Sequence, residues 1–266
     1  MSGEGLIVEN ILHIIKEQYV ERDVFIGLDR DGTIVPYAER PEDAKVDQDL
    51  SSLLDALVKK PGLRVGIISA RSIAQLRSDF DSKKLFLAGN YGMEISSPQG
   101  DVFIQPFALD AVPALKDLRD RMASAITDLA GVILEDHGYS LCLHYHRVAS
   151  ELLPRLHELM ANLKQRFNAL LFTQLTTSYE VKPLTPWSKG EALDQIFKTY
   201  QKTLKDSFVF YAGDSPPDEP AYSWANARGG VSLKVGDGVF ETCSQFQIGD
   251  VGTARSLLRE LSKLER

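Results

Sequence analysis

The stretch "FIGLDRDGTIVPYAERPED", residues 25–43, decides the fold. It opens as a short apolar, β-prone run and closes as polar loop. A strand covered on both faces reads as a continuous apolar run, and "VFIGL" (24–28) does so. Asp29 and Asp31 follow at once, with a single arginine between them. Like charges this close cost stability, so a purely structural role explains them poorly. A cation held between them, or chemistry that uses one of them, explains them better.

Outward from this stretch, apolar runs alternate with helical periodicity. Residues 6–20 repeat Leu6, Ile7, Ile11, Leu12, Ile14, Ile15 and Tyr19 at helical spacing. "DQDLSSLLDALVKKPG" predicts a helix, with Asp47 as N-cap, Lys59 and Lys60 at its end and Pro61-Gly62 as the stop. "RVGIIS" (64–69) predicts a strand, 71–80 a helix and "LFLAG" (85–89) a strand. Strand, helix, strand, helix, strand is the order of a doubly wound parallel sheet. The pattern then changes. A long helix is expected over 109–130, two strands around His137-Gly138, a helix over 150–167 and a strand pair over 170–183. This αββαββ order predicts a small α+β domain inserted at 108–183 into an α/β core made of 1–107 and 184–266. The core resumes with a helix opened by a capping box from Ser188 to Glu191. Strands at 207–214 and 229–236 follow, with a closing helix at 251–264. A cleft between core and insert is the expected binding site.

Composition narrows the function. The 266 residues suffice for a sizeable core and two domains. A net charge of −7 argues against nucleic acid as a partner, since phosphate backbones need a basic surface. A small anionic substrate needs only a few local cations. Cys142 and Cys243 are isolated, which fits a reducing compartment. The first residues carry Glu4 and Glu9 without a basic segment, so no secretory signal is expected. No apolar run approaches the roughly 18 residues of a membrane span. The expectation is a cytoplasmic monomer with no membrane partner.

Ligands of open α/β sheets sit outside the carboxyl ends of the strands. Four predicted strand ends carry suitable groups: Asp29 with Asp31, Ser69 with Arg71, Asn90, and Asp214 with Asp218. Lys189 falls in the first turn of a helix, where a cation opposes the helix dipole and an anion nearby would remove the conflict. Acidic oxygens with one lysine and one hydroxyl make a Mg2+ and phosphate site.

"DRDGT" (29–33), "IISAR" (67–71), "SKG" (188–190) and "GDSPPDE" (213–219) resemble, in order, the four motifs of haloacid-dehalogenase-like phosphatases. "LAGNYGMEI" (87–95), "EDHGYSLCLHYH" (135–146) and "YEVKP" (179–183) are similar to segments of trehalose-6-phosphate phosphatases, which carry an αββαββ cap here. The resemblance implies that Asp29 attacks phosphorus and forms an aspartyl-phosphate. It implies that Asp31 protonates the leaving sugar oxygen and then activates water. Mg2+ would be held by Asp29, the main-chain carbonyl of Asp31, and Asp214, with Asp218 close by. Ser69, Arg71 and Lys189 would bind phosphate oxygens. Glu135, His144, Glu180 and Lys182 in the insert, with Asn90 and Glu94 in the core, would meet the sugar. A trehalose-phosphate synthase in the same pathway is the implied partner.

The chain departs from the family pattern in three places. Ser215 stands where a second acid is common, Tyr91-Gly92 replaces "HG", and Ser69-Ala70-Arg71 replaces "SGR". Plainer readings stand beside the sugar contacts. Glu180 and Lys182 share a strand face and could pair across strands. His144 could be a core histidine, Asn90 a turn residue, and Glu94 and Glu135 exposed charges.

Overall fold

The computed structural model describes residues 3–80 and 83–266. Helix α1 (Gly3–Glu21) precedes strand β1 (Val24–Leu28). Then come α2 (Gln48–Lys59), β2 (Leu63–Ile68), α3 (Ile73–Asp79) and β3 (Leu85–Gly89). Two short strands follow, β4 (Glu94–Ser96) and β5 (Val102–Ile104). The middle of the chain forms α4 (Pro106–Ala125), β6 (Ile133–Asp136), β7 (Leu141–His144), α5 (Leu153–Arg166), β8 (Leu170–Gln174) and β9 (Ser178–Pro183). The last part forms α6 (Lys189–Thr199), α7 (Gln201–Leu204), β10 (Phe208–Gly213), α8 (Glu219–Ala227), β11 (Val231–Val235), β12 (Phe246–Ile248) and α9 (Val251–Leu261).

The described chain divides into two compact units. One holds residues up to Ser69, Ile73–Phe103 and Trp187–Arg266; the other holds Ala70–Ser72 and Ile104–Pro186. In the first, the sheet runs β12-β11-β10-β1-β2-β3-β4-β5. Neighbours from β12 to β3 are parallel, and β4 turns back antiparallel on β3. The two-residue period of a strand sorts its side chains onto opposite faces. Val24, Ile26 and Leu28 join a core with Ile11, Ile15, Leu54 and Leu257, from α1, α2 and α9. Phe25 joins a second core with Leu193, Ile196 and Tyr222, from α6 and α8. Both faces are therefore covered, as the unbroken apolar strands predict.

In the second unit the sheet order is β6-β7-β9-β8, all antiparallel. Leu141, Leu143, Tyr179, Val181, Leu170 and Phe172 form one face. They pack with Leu118 and Met122 of α4 and Leu156 and Met160 of α5. The alternate residues, among them Cys142, His144, Glu180 and Lys182, take the opposite face.

Several local expectations need correction. The long helix spans Pro106–Ala125 rather than 109–130. Pro106 suits a first turn, whose N–H groups are unpaired in any case, and Gly131 at φ 91° belongs to the turn beyond. Asp47 caps α2 as expected, accepting from Leu50 N at 2.8 Å. Ser188 caps α6, but its hydroxyl accepts from Gly190 N and donates to the Glu191 side chain, so the expected capping box is not formed. A reciprocal box occurs instead at Ser215 and Asp218, around a 3-10 turn that leads into α8. That segment carries no clear apolar stripe, because α8 buries Ala221, Tyr222 and Ala225.

Candidate active site

β10, β1 and β2 lie side by side, with Leu28 in register with Ala212 and Ile67. Their carboxyl ends therefore deliver Asp214, Asp29 and Ser69 to one edge of the sheet. Strand alternation turns Asp29 to the same face as Phe25, where α6 packs. There Lys189, the first residue of α6, places its Nζ 2.8 Å from Asp29 Oδ1 and 2.7 Å from Asp218 Oδ1. All three side chains are at least nine-tenths buried. The anion expected opposite a cation in a helix's first turn is thus Asp29 with Asp218.

Asp218 is held by more than Lys189. Tyr211 donates its hydroxyl to Oδ1 at 2.7 Å. The main-chain N–H groups of Asp214 and Ser215, and the Ser215 hydroxyl, all reach Oδ2 at 3.1–3.2 Å. Five donors on two oxygens occupy every lone pair that a carboxylate has. Ser215, where a second acid was the family expectation, acts here as a donor to Asp218.

Asp29, Asp214 and Asp218 each bring a carboxylate oxygen to within 4.8 Å of the others. Two buried acids and the half-buried Asp214 face one buried ammonium, which leaves excess negative charge. Burial, then the neighbouring Asp218 and Asp214, push the Asp29 carboxyl well above its usual range despite Lys189. Burial and Asp218 push Asp214 up to about 6. For Lys189 burial works against the charge, but Asp218 and Asp29 outweigh it and hold the ammonium firmly protonated. Tyr37 donates to Asp214 Oδ2 at 2.8 Å, while Asp214 Oδ1 is buried with no donor among the described residues. An orphaned carboxylate oxygen in an all-oxygen, over-acidic site fits a hard divalent cation. Gly32, at φ 78°, keeps this room open: a Cβ there would lie 2.3 Å from Asp214 Oδ2.

Asp31 sits apart from that cluster. Its Oδ1 accepts from Arg30 Nη1 at 2.5 Å. Arg30 is wholly buried and also donates to Asp79 Oδ2 at 2.9 Å and to the Ala44 carbonyl at 2.6 Å. Ser69 is buried at the end of β2, and its carbonyl accepts from Tyr91 N. Asn90 and Tyr91 adopt φ of 50° and 59°, a left-handed turn unusual for a tyrosine. Asn90 donates to Glu94 Oε1 at 2.7 Å, and the same oxygen accepts from Ile73 N at 2.8 Å. Both residues are buried, so Glu94 is not an exposed strand charge; it caps α3.

In the second unit Glu135 Oε2 and His144 Nε2 meet at 2.7 Å. Burial opposes ionisation of Glu135, but His144, His137 and Arg71 outweigh it and hold its carboxyl below the usual range. Glu180 lies opposite Cys142, and Lys182 opposite Leu171, both on the polar face of that sheet. Arg71 belongs to this unit, and its charge is felt by Glu135 and His137. Sequence reading missed Tyr37, Tyr211 and Arg30. Only Arg30, wedged between two aspartates, left a visible signal.

The chain shares its fold with a haloacid dehalogenase-like hydrolase from Bacteroides thetaiotaomicron, TM-score 0.60 at 15% identity, covering 90% of this chain and 99% of that chain. More narrowly, it belongs to the trehalose-phosphatase family, whose model matches residues 27–248, and it is a phosphatase. It is 25% identical to trehalose-phosphate phosphatase B of Arabidopsis thaliana over 256 residues, 92% of this chain and 68% of that protein. It is 29% identical to an uncharacterized glycosyl hydrolase of Mycobacterium tuberculosis over 78% of this chain, but spans only 16% of that protein. The C-terminal domain of C. albicans trehalose-6-phosphate phosphatase superposes with a TM-score of 0.80 at 19% identity, covering 99% of this chain and 97% of that one.

Proposed function

We propose that the protein hydrolyses trehalose 6-phosphate to trehalose and phosphate through a phosphorylated Asp29, with Mg2+ as cofactor. The observation that carries this reading is the buried Lys189 ammonium bridging Asp29 and Asp218 beside the orphaned Asp214 oxygen. Asp29 and Asp214, with the main-chain carbonyl of Asp31, would hold the ion. Asp218, saturated by its five donors, would fix Lys189 and the turn after β10. Bound Mg2+ would orient the phosphate and offset charge between it and the attacking carboxylate.

Asp29 attacks phosphorus, and the bond from phosphorus to the sugar oxygen breaks. Asp31 gives its proton to that oxygen, then takes one from the water that attacks the phosphoryl-enzyme. This second attack frees phosphate and restores Asp29. Ser69, Lys189 and Arg71 bind the phosphate oxygens. Residues 108–183 act as a cap on a core made of 1–107 and 184–266. Glu135, His144, Glu180 and Lys182 read the sugar hydroxyls, supported by Asn90 and Glu94. A synthase that joins two sugars, one carrying phosphate, would supply the substrate to this cytoplasmic monomer.

Phosphate release tests the reading, measured on trehalose 6-phosphate, sucrose phosphate and glucose 6-phosphate with Mg2+ or with chelator. Trehalose 6-phosphate should give the highest kcat/KM, and chelator should abolish turnover. Asp29→Asn should be folded and inactive, since an amide cannot attack phosphorus. Normal turnover by that variant would sink the covalent mechanism, and equal rates on glucose 6-phosphate would sink the substrate.

A further inference from the structure

On the polar face of the second unit's sheet, a thiol that phosphate hydrolysis does not call for joins two of the proposed sugar contacts, Glu135 and His144. Glu135 on β6 stands directly opposite Cys142 on β7, and His144 lies two residues further along the same strand. A carboxylate oxygen, a thiol sulfur and an imidazole nitrogen thus project from one face of a hydrogen-bonded ladder. Each comes within 4.8 Å of the other two. On its other side Cys142 faces Glu180 across the β7–β9 pairing. The sulfur is thus flanked by Glu135 and Glu180 on the two neighbouring strands.

We propose that Glu135, Cys142 and His144 form a site for one zinc-class divalent ion, separate from the acidic cluster at Asp29 and Asp214. One sulfur, one nitrogen and one oxygen suit a borderline-soft ion rather than Mg2+. Ligand bonds of about 2.0–2.3 Å around a tetrahedral ion set its donors roughly 3.3–3.8 Å apart. To meet that spacing the Glu135–His144 pair, now at 2.7 Å, must open by about half an ångström, and the sulfur, within 4.8 Å of both, must close by up to about 1 Å. Side-chain rotation on a fixed ladder supplies a movement of this size. Binding breaks the Cys142 S–H bond, forms a metal–sulfur bond and releases the proton to solvent. The Glu135–His144 hydrogen bond gives way to two metal bonds. A fourth position remains for water or for an exogenous ligand. The ion and the sugar would draw on the same Glu135 and His144, so metal binding is read without substrate.

Cobalt(II) is the probe, because a thiolate ligand adds an intense near-ultraviolet charge-transfer band. The full chain carries Cys243→Ser, so that the exposed second thiol contributes nothing. Mg2+ in excess occupies the acidic cluster. One equivalent of cobalt should produce the band, and zinc should displace it. Cys142→Ser should remove it, while His144→Ala and Glu135→Gln should each weaken binding about tenfold or more. X-ray absorption of the zinc-loaded chain, which needs no variant at these positions, should show one sulfur among nitrogen and oxygen neighbours. Absence of the band with excess cobalt, a zinc spectrum without sulfur, or unchanged affinity in His144→Ala would each overturn the site.

Discussion

Arg30 Nη1 lies 2.5 Å from Asp31 Oδ1, and the guanidinium that makes this contact has no exposed surface. Its Nε holds Asp79 at the end of α3, and its Nη2 holds the Ala44 carbonyl. Asp31 is thus pinned by a rigid fork fixed at two other points. Such burial is a weak source of stability, because the charges lose their hydration. It is a good way to hold one carboxylate in one rotamer.

Arg30→Met keeps most of the volume and removes the fork. Asp31 should then sample several rotamers, and kcat should fall roughly 10–10²-fold, part of what a general acid contributes. KM should change little, since Arg30 touches neither phosphate nor sugar in the proposed mechanism. Steady-state kinetics check this. Unchanged kcat would leave Arg30 a structural residue only.

Lys189→Met removes the ammonium that bridges the buried Asp29 and Asp218. Breaking a buried pair from one side costs about 3–5 kcal/mol, far more than the pair adds when intact. The variant should be destabilised by this order at neutral pH and should recover as falling pH protonates Asp29, whose carboxyl is held well above its usual range. Urea unfolding of metal-free protein at the two pH values reads both effects. A pH-independent loss would point to packing rather than charge.

Much of this architecture was legible in the sequence. The order from α1 to β3 and from α4 to β11, α7 and α8 excepted, followed from unbroken apolar runs and helical periodicity, because both signals are local, whereas β4, β5 and β12, three residues each, are too short to leave such a run. Asp29, Ser69 and Asp214 could be assigned to one sheet edge, since each ends a parallel strand. The Tyr37 contact could not be read, because its partner Asp214 lies 177 residues away and no spacing links them. Tyr211 looked like one more apolar residue of β10, although its hydroxyl serves Asp218. The capping box was expected at Ser188 and found at Ser215. Both serines precede an acid by three residues, and only tertiary packing chooses between them.

Asp214 predicts a pH dependence of stability. Its folded pKa is about 6, above the ordinary value of 3.8. The native state therefore binds more protons than the unfolded chain between those values. Stability from this group is lost as pH rises through that window, the reverse of a salt-bridged aspartate. Asp214→Asn removes the term. In metal-free protein the variant should gain on the wild type by roughly 1–3 kcal/mol between about pH 4 and pH 7. Mg2+ should stabilise the wild type and not the variant, since only the wild type retains the orphaned oxygen as an anion. Parallel stability–pH curves for the two proteins would contradict the assignment.

Glu180 and Lys182 carry the last prediction. Register puts both on the face of the second sheet that turns away from Leu118 and Leu156. A sugar read by such groups loses their hydrogen bonds when they are removed, and its own hydroxyls stay desolvated without partners. Glu180→Ala and Lys182→Ala should each lower kcat/KM on trehalose 6-phosphate by about 1–3 kcal/mol. An aryl phosphate offers no hydroxyls to read, so its hydrolysis should change by less than about twofold. The contrast matters more than either number. A fold defect lowers both substrates together, because it reduces the amount of competent enzyme. A lost sugar contact lowers only one. If both fall in parallel, Glu180 and Lys182 hold the sheet rather than the sugar, and discrimination among sugar phosphates must come from Glu135, His144 and the core residues Asn90 and Glu94.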